Sequence, residues 1–146
     1  DMTRFLMPIA EAAGLVVEAY ERMTSGEIFV LKMPAFRVGT LAEAMVEEYA
    51  PGAGYDLGEV EIEMVGARPG ERIHEKLISE DERRQARYLD NMYVILPQID
   101  VSAYQEAAHA GAESIENAYT SADETPLSKE KIITKIDKNM SPQTHL

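Results

Sequence analysis

The sequence contains no cysteine, and bases are scarce in it: 14 of its 146 residues are Lys or Arg, against 26 Asp or Glu. The absence of cysteine excludes disulfides, thiolate metal ligands and cysteine nucleophiles, and it is compatible with a reducing cytosol. The formal net charge of −12 repels the phosphates of nucleic acids and of anionic lipids. We therefore expect neither a nucleic acid nor a membrane surface as a partner.

Long apolar runs are also absent. No run approaches the roughly 20 residues that cross a bilayer, although 45% of the residues are apolar, enough for the core of one ordinary domain. With no signal peptide visible, the sequence predicts a soluble, cytoplasmic globular chain. Because it begins with Asp1 rather than Met, we expect either trimming or a piece of a longer protein.

The few bases are concentrated in one segment. Residues 39–67 carry seven acids and no base, and residues 88–128 again carry seven acids and no base. Residues 68–87, in contrast, carry six bases and five acids. An anionic ligand is therefore expected at this segment.

Periodicity and capping patterns predict a mixed α/β chain with three or four short strands. The predicted helices cover residues 8–24, a segment from the capping box Thr40–Glu43 to Tyr49, a short charged helix from the capping box Ser79–Glu82, and a last helix after Ser128. The predicted strands cover residues 27–31, 59–65 and 93–97. The alanine-rich residues 100–119 could add a helix, and the final six residues are expected to fray.

No complete catalytic or metal-binding motif occurs in the sequence. Gly52, Gly54 and Gly58 resemble a dinucleotide fingerprint, but a predicted helix precedes them and a strand follows, which reverses the required order. His74-Glu75 begins like a zinc-protease helix, yet Ile78 stands where the second His is needed. We therefore predict no metal ligands and no catalytic residues within the chain.

One short segment does suit ligand chemistry. Arg68-Pro-Gly-Glu71 is a tight turn directly after the predicted strand 59–65. An arginine binds phosphate oxygens bidentately, and a nearby carboxylate accepts hydrogen bonds from a vicinal diol such as ribose, so together they suit a nucleotide. On spacing alone, however, an ordinary turn with a local ion pair is the favoured interpretation.

Four segments occur in a characteristic order: Met2-Thr-Arg-Phe5, Gly26–Pro34, Leu41-Ala-Glu-Ala44 and Gly66–Glu75. In these segments the chain resembles the C-terminal part of the nucleotide-sugar 4,6-dehydratases. These are extended short-chain dehydrogenase/reductase enzymes of surface polysaccharide biosynthesis, of the UDP-N-acetylglucosamine 4,6-dehydratase and capsular-protein kind. The resemblance runs from Met2 to about Pro97 and continues loosely through Tyr119–Asp123. Lys32-Met33-Pro34 is more similar to the short soluble dehydratases than to their large membrane-anchored relatives.

The resemblance implies the fold and the missing parts. The expected structure is the α/β C-terminal substrate-binding portion of a Rossmann-type enzyme, with a small mixed sheet and helices. Residues 1–97 would form the nucleotide-sugar region, and residues 98–146 a C-terminal extension. NAD or NADP, and the Tyr/Lys pair that transfers protons, would belong to an N-terminal half that is absent here. None of the seven tyrosines has a Lys four residues later.

The resemblance also assigns roles to particular residues. Arg68 would hold the diphosphate, Glu71 the ribose hydroxyls, and Arg4 would be a second contact to the phosphates or the sugar. The remaining candidates for the nucleotide pocket are Thr3, Phe5, Met7 and Lys32. Core packing is the alternative for Phe5 and Met7, and a solvated strand end is the alternative for Lys32. His74 and Glu75 are assigned to structure, in a helix behind the turn.

The predicted function is therefore to bind the UDP-sugar substrate of an NAD-dependent 4,6-dehydratase, a lyase, with no turnover by this chain alone. The complete enzyme is expected to be a homo-oligomer. Two alternatives stay open: a UDP-sugar 4-epimerase of the same family, and an independent acidic protein-interaction domain. The dehydratase interpretation predicts an exposed apolar face where the other half docks, whereas the interaction domain would have a closed surface and no nucleotide affinity.

Overall fold

The computed structural model describes residues 1–99, 109 and 111–140. Their helices and strands, in chain order, are β1 (Thr3–Phe5), α1 (Ile9–Arg22), β2 (Ile28–Leu31), β3 (Ala35–Arg37), α2 (Val38–Tyr49), β4 (Lys76–Ile78), β5 (Ala86–Leu89), β6 (Met92–Ile95), β7 (Tyr119–Thr120) and α3 (Lys129–Met140). Short 3₁₀ helices lie at Pro51–Ala53, Leu57–Glu59 and Glu82–Gln85. The predicted mixed α/β class is confirmed for this part of the chain, with three helices and three small sheets.

The chain divides into two compact units that alternate along the sequence. Unit 1 contains residues 1–8, 34–75 and the chain from 121 onward, and unit 2 contains residues 9–33 and 76–120. These units differ from the functional regions 1–97 and 98–146, whose boundary follows the sequence resemblance and stays a prediction.

In unit 1, strand β1 has a partner on each edge. It pairs antiparallel with β3, in a register that places Thr3 opposite Arg37 and Phe5 opposite Ala35. On its other edge, the Thr3 N–H donates to the carbonyl oxygen of Ile73 at 3.0 Å. The segment that follows the Arg-Pro-Gly-Glu turn is thereby hydrogen-bonded to β1.

Helices α2 and α3 pack against each other in unit 1. Ile132 of α3 is completely buried, and Ala44 of α2 is nearly so. At the rim, the Lys129 ammonium lies 2.9 Å from a Glu43 oxygen and 2.6 Å from a Glu47 oxygen. The helix pair is therefore held by an apolar contact, to which exposed ion pairs add little.

Unit 2 is built on an antiparallel sheet with the strand order β2–β6–β5. Its core includes Met92 and Val94 of β6, which are completely buried. A second pair, β4 with β7, adds Ile78 and Tyr119 to the buried residues. The Tyr119 hydroxyl accepts from the Met33 N–H at 2.7 Å and donates to the Met33 carbonyl at 2.9 Å, which fixes the chain just after β2.

The strand predicted at residues 59–65 is wrong. Residues 57–59 form a 3₁₀ turn closed by a capping box between Asp56 and Glu59, and residues 60–67 have no assigned secondary structure. Met64 is 83% exposed and Val65 76%. Apolar alternation produces a strand only where a partner strand supplies hydrogen bonds, and no strand pairs with this segment among the described residues.

Other predicted elements hold with shifted boundaries. Helix α2 begins at Val38, with no side-chain cap at its N-terminus, because β3 leads directly into it; the Thr40–Glu43 capping box is wrong as a start signal. The Ser79–Glu82 box does form, since Glu82 accepts from the Ser79 N–H at 2.9 Å. It opens only a 3₁₀ helix, because β5 starts at Ala86.

The C-terminal predictions are met in part. Helix α3 begins directly after Ser128, as predicted, with the Ile132 N–H donating to the Ser128 carbonyl at 3.0 Å. Within the alanine-rich segment, residues 100–108 and 110 lie outside the described residues. Its described end forms β7 and a bridge between Arg87 and Ser114 rather than a helix. The final six residues also lie outside the described part.

Candidate functional site

Unit 1 contains a largely apolar cavity of about 700 Å³. It is lined by the chain start, the first turns of α2 and the segment that leads into the Arg-Pro-Gly-Glu turn: Asp1, Met2, Val38, Gly39, Ala42, Ile62, Glu63, Met64, Val65, Gly66, Ala67, Arg68, Glu71 and Ile73. Three acids and one base, Arg68, are the charged residues in this lining. A ligand that fills the cavity would place apolar surface on its walls and an anionic group beside Arg68.

Arg68 and Glu71 are held on one tight turn. The Glu71 N–H donates to the Arg68 carbonyl at 3.0 Å, and a Glu71 carboxylate oxygen accepts from the Arg68 N–H at 3.0 Å. Gly70 has φ = 84°, which is the conformation that glycine adopts at the third position of a turn beginning with Arg68 and Pro69. The Pro-Gly signal thus predicted the turn correctly, although the turn follows an unpaired segment rather than a strand.

Arg4 lies behind this turn, and backbone carbonyls surround its guanidinium. Its Nη1 donates to the carbonyls of Thr3 at 2.7 Å and Ile73 at 3.2 Å, and its Nη2 donates to that of Arg72 at 2.9 Å. Nη2 is also 3.8 Å from a Glu71 oxygen, and Nε is 3.9 Å from a Glu75 oxygen. The structure therefore brings Arg4 close to Glu71, while Arg4 is not among the cavity-lining residues.

Thr3 is buried in a hydrogen-bonded cluster that joins three chain segments. Its hydroxyl lies 2.8 Å from His74 Nδ1 and 2.7 Å from the Ser121 hydroxyl. The Ser121 oxygen also accepts from the Glu75 N–H at 2.9 Å. His74 and Glu75 therefore take part in internal hydrogen bonds, but the helix predicted for them is wrong, because they precede strand β4.

The other predicted pocket residues do not line the cavity. Phe5 and Met7 are half-buried, and the Phe5 N–H donates to a Glu75 oxygen at 2.9 Å. Lys32 belongs to unit 2, where its ammonium donates to the Tyr88 hydroxyl at 3.1 Å and lies 4.6 Å from the centre of the Tyr88 ring. As ligand contacts, Thr3, Phe5, Met7 and Lys32 stay predictions.

Sequence reasoning missed the apolar wall of the cavity. Ile62 and Met64 belong to the segment 59–65 that is predicted as a strand, but in the structure they line the cavity from an irregular segment. Val38, Gly39 and Ala42 line it from the start of α2. Their i, i+1, i+4 spacing places them on one face of the helix. The sequence does not show that the irregular segment lies across from this face, because that depends on the tertiary structure.

A second buried polar cluster lies in unit 2. The Glu27 carboxylate accepts from the N–H groups of Thr24, at 3.1 Å, and Ser25, at 2.7 Å, and from the Thr24 hydroxyl. His109 Nε2 is 3.2 Å from the same carboxylate, whose side chain is fully buried. Burial acts to raise the pKa of Glu27, but the hydrogen bonds from Thr24, the backbone and His109 outweigh it and lower the pKa to about 2.

The glycine motif does not fit a dinucleotide cofactor, and the described residues do not form a metal site. Gly52, Gly54 and Gly58 follow helix α2 and lie in and around two exposed 3₁₀ turns, so no helix N-terminus faces them as pyrophosphate binding requires. In this part of the chain, no group of three or more His, Asp or Glu is placed to hold a metal ion.

Comparison with known proteins identifies the class. Residues 1–97 match the family model described as polysaccharide biosynthesis protein. An uncharacterized membrane protein of Methanocaldococcus jannaschii is 42% identical over 142 residues, which are 97% of this chain and 39% of that protein. The inverting UDP-N-acetylglucosamine 4,6-dehydratase of Campylobacter jejuni is 34% identical over 98 residues, covering 67% of this chain and 26% of the enzyme.

Two further similarities agree with this. The UDP-glucose 4-epimerase of Rickettsia felis is 36% identical over 95 residues, or 65% of this chain and 26% of the epimerase. The crystal structure of Pen from Bacillus thuringiensis superposes with a TM-score of 0.79 at 31% identity, over 95% of this chain and 39% of that one. The chain belongs to the polysaccharide biosynthesis protein family of extended short-chain dehydrogenases/reductases, as the sequence resemblance predicted.

The chain spans about two fifths or less of the length of these relatives. One relative carries the name of a membrane protein. Among the described helices of this chain, none combines the length and the apolar character that a bilayer crossing demands.

Proposed function

We propose that this chain binds the nucleotide of a UDP-sugar substrate for an NAD- or NADP-dependent 4,6-dehydratase of surface polysaccharide biosynthesis, in the cytoplasm. One observation carries the proposal: a single tight turn presents Arg68 and Glu71 together at a largely apolar cavity. The arginine suits a diphosphate and the carboxylate suits the ribose hydroxyls. The apolar walls suit the flat pyrimidine base.

The charge distribution gives the ligand an orientation in this proposal. Asp1, Glu63 and Glu71 line the cavity and disfavour phosphate near them, whereas Arg68 attracts it. The diphosphate would therefore lie at Arg68, with the ribose beside Glu71 and the base against Ile62 and Met64. The sugar would extend away from the cavity toward catalytic groups that this chain does not supply.

A titration with UDP tests the proposal. Wild-type chain is expected to bind UDP, and Arg68→Ala to weaken binding by about 10- to 100-fold, since a charge-assisted hydrogen bond to phosphate is lost. Calorimetry at low salt measures both affinities. Arg84→Ala is the matched control, because Arg84 is an exposed arginine of unit 2 and its removal costs the same charge.

Two results would overturn the proposal. If wild-type chain shows no affinity for UDP, the nucleotide role is wrong. If Arg68→Ala and Arg84→Ala bind UDP equally well, the ligand site does not lie at this turn.

The similarity to the UDP-glucose 4-epimerase of Rickettsia felis favours a second candidate, a UDP-sugar 4-epimerase. The same turn and cavity would bind the UDP group, and the reactions differ in groups outside this chain. Product analysis of the complete enzyme separates the two, because only the dehydratase yields a 4-keto-6-deoxy sugar.

A further inference from the structure

We propose that Arg4 is a positioning residue that fixes Glu71 for the ligand, rather than a contact to the ligand phosphates or sugar. This inference rests on the proposed function for the identity of the ligand, but its structural basis is independent of it. It replaces the role that the sequence resemblance suggested for Arg4.

The first argument is that three of the five guanidinium N–H groups already donate to backbone carbonyls. Nη1 donates to two carbonyl oxygens, of Thr3 and Ile73, and Nη2 donates to the carbonyl of Arg72. The remaining N–H groups are near carboxylates, with Nη2 3.8 Å from Glu71 and Nε 3.9 Å from Glu75. A phosphate at Nη1 would displace these carbonyls, and one that approached Nε and Nη2 would meet the carboxylates of Glu71 and Glu75, which repel it.

The second argument is location. Arg68 and Glu71 line the cavity of unit 1, and Arg4 does not. The Arg4 side chain is only 24% exposed, while that of Glu71 is 37% exposed. Arg4 therefore supports the turn from the protein side, and its charge compensates the carboxylate of Glu71.

The third argument is that the hydrogen bonds of Arg4 connect two separate segments of the chain. Arg4 belongs to β1, and its carbonyl partners at Arg72 and Ile73 belong to the segment that leaves the Arg68–Glu71 turn. A planar guanidinium can bridge several acceptors at fixed angles, whereas a lysine ammonium cannot reproduce this fork. The side chain thus ties the exit of the turn to the sheet of unit 1.

The test compares two ligands, UDP and uridine, which share base and ribose and differ in the diphosphate. Both ligands contain the ribose that Glu71 is proposed to bind, so a residue that positions Glu71 affects both. Arg4→Gln is therefore expected to lower the affinities for UDP and for uridine by the same factor, about tenfold. Arg68→Gln, in contrast, is expected to lower the affinity for UDP and to leave the affinity for uridine within about twofold of the wild-type value. Arg84→Gln serves as the charge-matched control in unit 2.

Arg4→Lys supplies a second variant in case Arg4→Gln does not fold. It keeps the positive charge but loses the fork, so the positioning role predicts that both ligands still weaken equally. Loss of UDP affinity with uridine unchanged, in either variant, would identify Arg4 as a phosphate contact and overturn the proposal. Unchanged affinity for both ligands would overturn it as well.

Amide hydrogen exchange separates this proposal from the proposed function. The N–H groups of Arg68 and Glu71 are both hydrogen-bonded within the turn. With no ligand present, Arg4→Gln is expected to accelerate their exchange while the Ile132 amide of α3 keeps its wild-type rate. Unchanged exchange at the turn, or equal acceleration at Ile132, would overturn the positioning role even if wild-type chain binds neither UDP nor uridine.

Discussion

Glu27 keeps its negative charge inside unit 2 because the turn after α1 is built around it. The carboxylate receives hydrogen bonds from Thr24 and Ser25, and His109 reaches the same group from 82 residues along the chain. The local bonds could be anticipated from the short Thr-Ser-Gly-Glu sequence. The histidine could not, because a distant partner leaves no local pattern.

This carboxylate predicts a loss of stability in acid. The pKa of Glu27 is lowered from 4.5 to about 2 in the folded chain. Its contribution to the free energy of unfolding is therefore complete at a pH above its pKa in the unfolded chain, and it is lost as the pH falls from about 4.5 to 2. A shift of this size corresponds to on the order of 3 kcal/mol. Urea unfolding of wild type and Glu27→Gln between pH 7 and pH 2 measures it.

Glu27→Gln should be less stable than wild type at pH 7, and the difference should shrink as the pH falls through this window. Glu61→Gln is the control, because Glu61 lies exposed in the irregular segment before the turn. Glu61→Gln is expected to lose stability with falling pH in parallel with wild type. If Glu27→Gln also does so down to pH 2, the buried carboxylate is not the source of the acid sensitivity.

Among the candidate ligand residues, the Arg68–Glu71 turn follows from the local sequence, whereas the contacts of Arg4 do not. The sequence Arg-Pro-Gly-Glu predicts the turn because proline and glycine limit its backbone conformations. The environment of Arg4 was not predictable, since two of its three carbonyl partners lie 68 and 69 residues away. A motif names a residue as important without saying whether it touches the ligand.

The helices show which elements a sequence can predict. Helix α1, most of α2, and α3 follow from periodicity and boundary residues, because a helix satisfies its backbone hydrogen bonds locally. Strands β1, β3, β4 and β7 have two or three residues each and escaped prediction. Such short strands are defined by their partners, which lie elsewhere in the chain.

The packing of α3 against α2 predicts a large effect of one apolar substitution. Ile132 is completely buried, so Ile132→Ala is expected to lower the free energy of unfolding by about 2–5 kcal/mol through lost burial and a residual cavity. Urea unfolding monitored by circular dichroism measures the loss.

The neighbouring Lys131 gives a matched control, because it lies exposed on the same helix. Lys131→Ala should change the free energy of unfolding by less than about 0.5 kcal/mol. Equal effects of the two substitutions would show that α3 is not anchored through Ile132.

At the scale of the whole molecule, the family and the fold class are established, and the activity remains proposed. Helix α1 of unit 2 exposes Ile9, Val16, Val17 and Tyr20 by 85, 63, 59 and 75%. Their spacing places them on one side of the helix. This is the kind of exposed apolar face that the dehydratase interpretation predicted; docking of another half, and homo-oligomer formation, stay predictions.

The proposed function also predicts that this chain does not turn over substrate. With UDP-N-acetylglucosamine and added NAD, we expect no 4-keto-6-deoxy product, because the sequence has no Tyr followed four residues later by Lys and its glycine motif does not lead into an α-helix. Mass spectrometry of the nucleotide sugar after long incubation is the measurement. Product formation that is proportional to chain concentration would contradict the assignment of the catalytic groups to another part of the enzyme.

The sequence by itself determined the family, the three helices and the Arg68–Glu71 turn, since ordered motifs, local hydrogen bonds and turn residues act over a few positions. Only the tertiary structure decided the two interleaved units, the cavity beside the turn and the enclosure of Arg4. It also decided that residues 59–65 form no strand. The physical reason is the same in each case: pairing and burial depend on residues far apart in the chain, and a local pattern does not contain them.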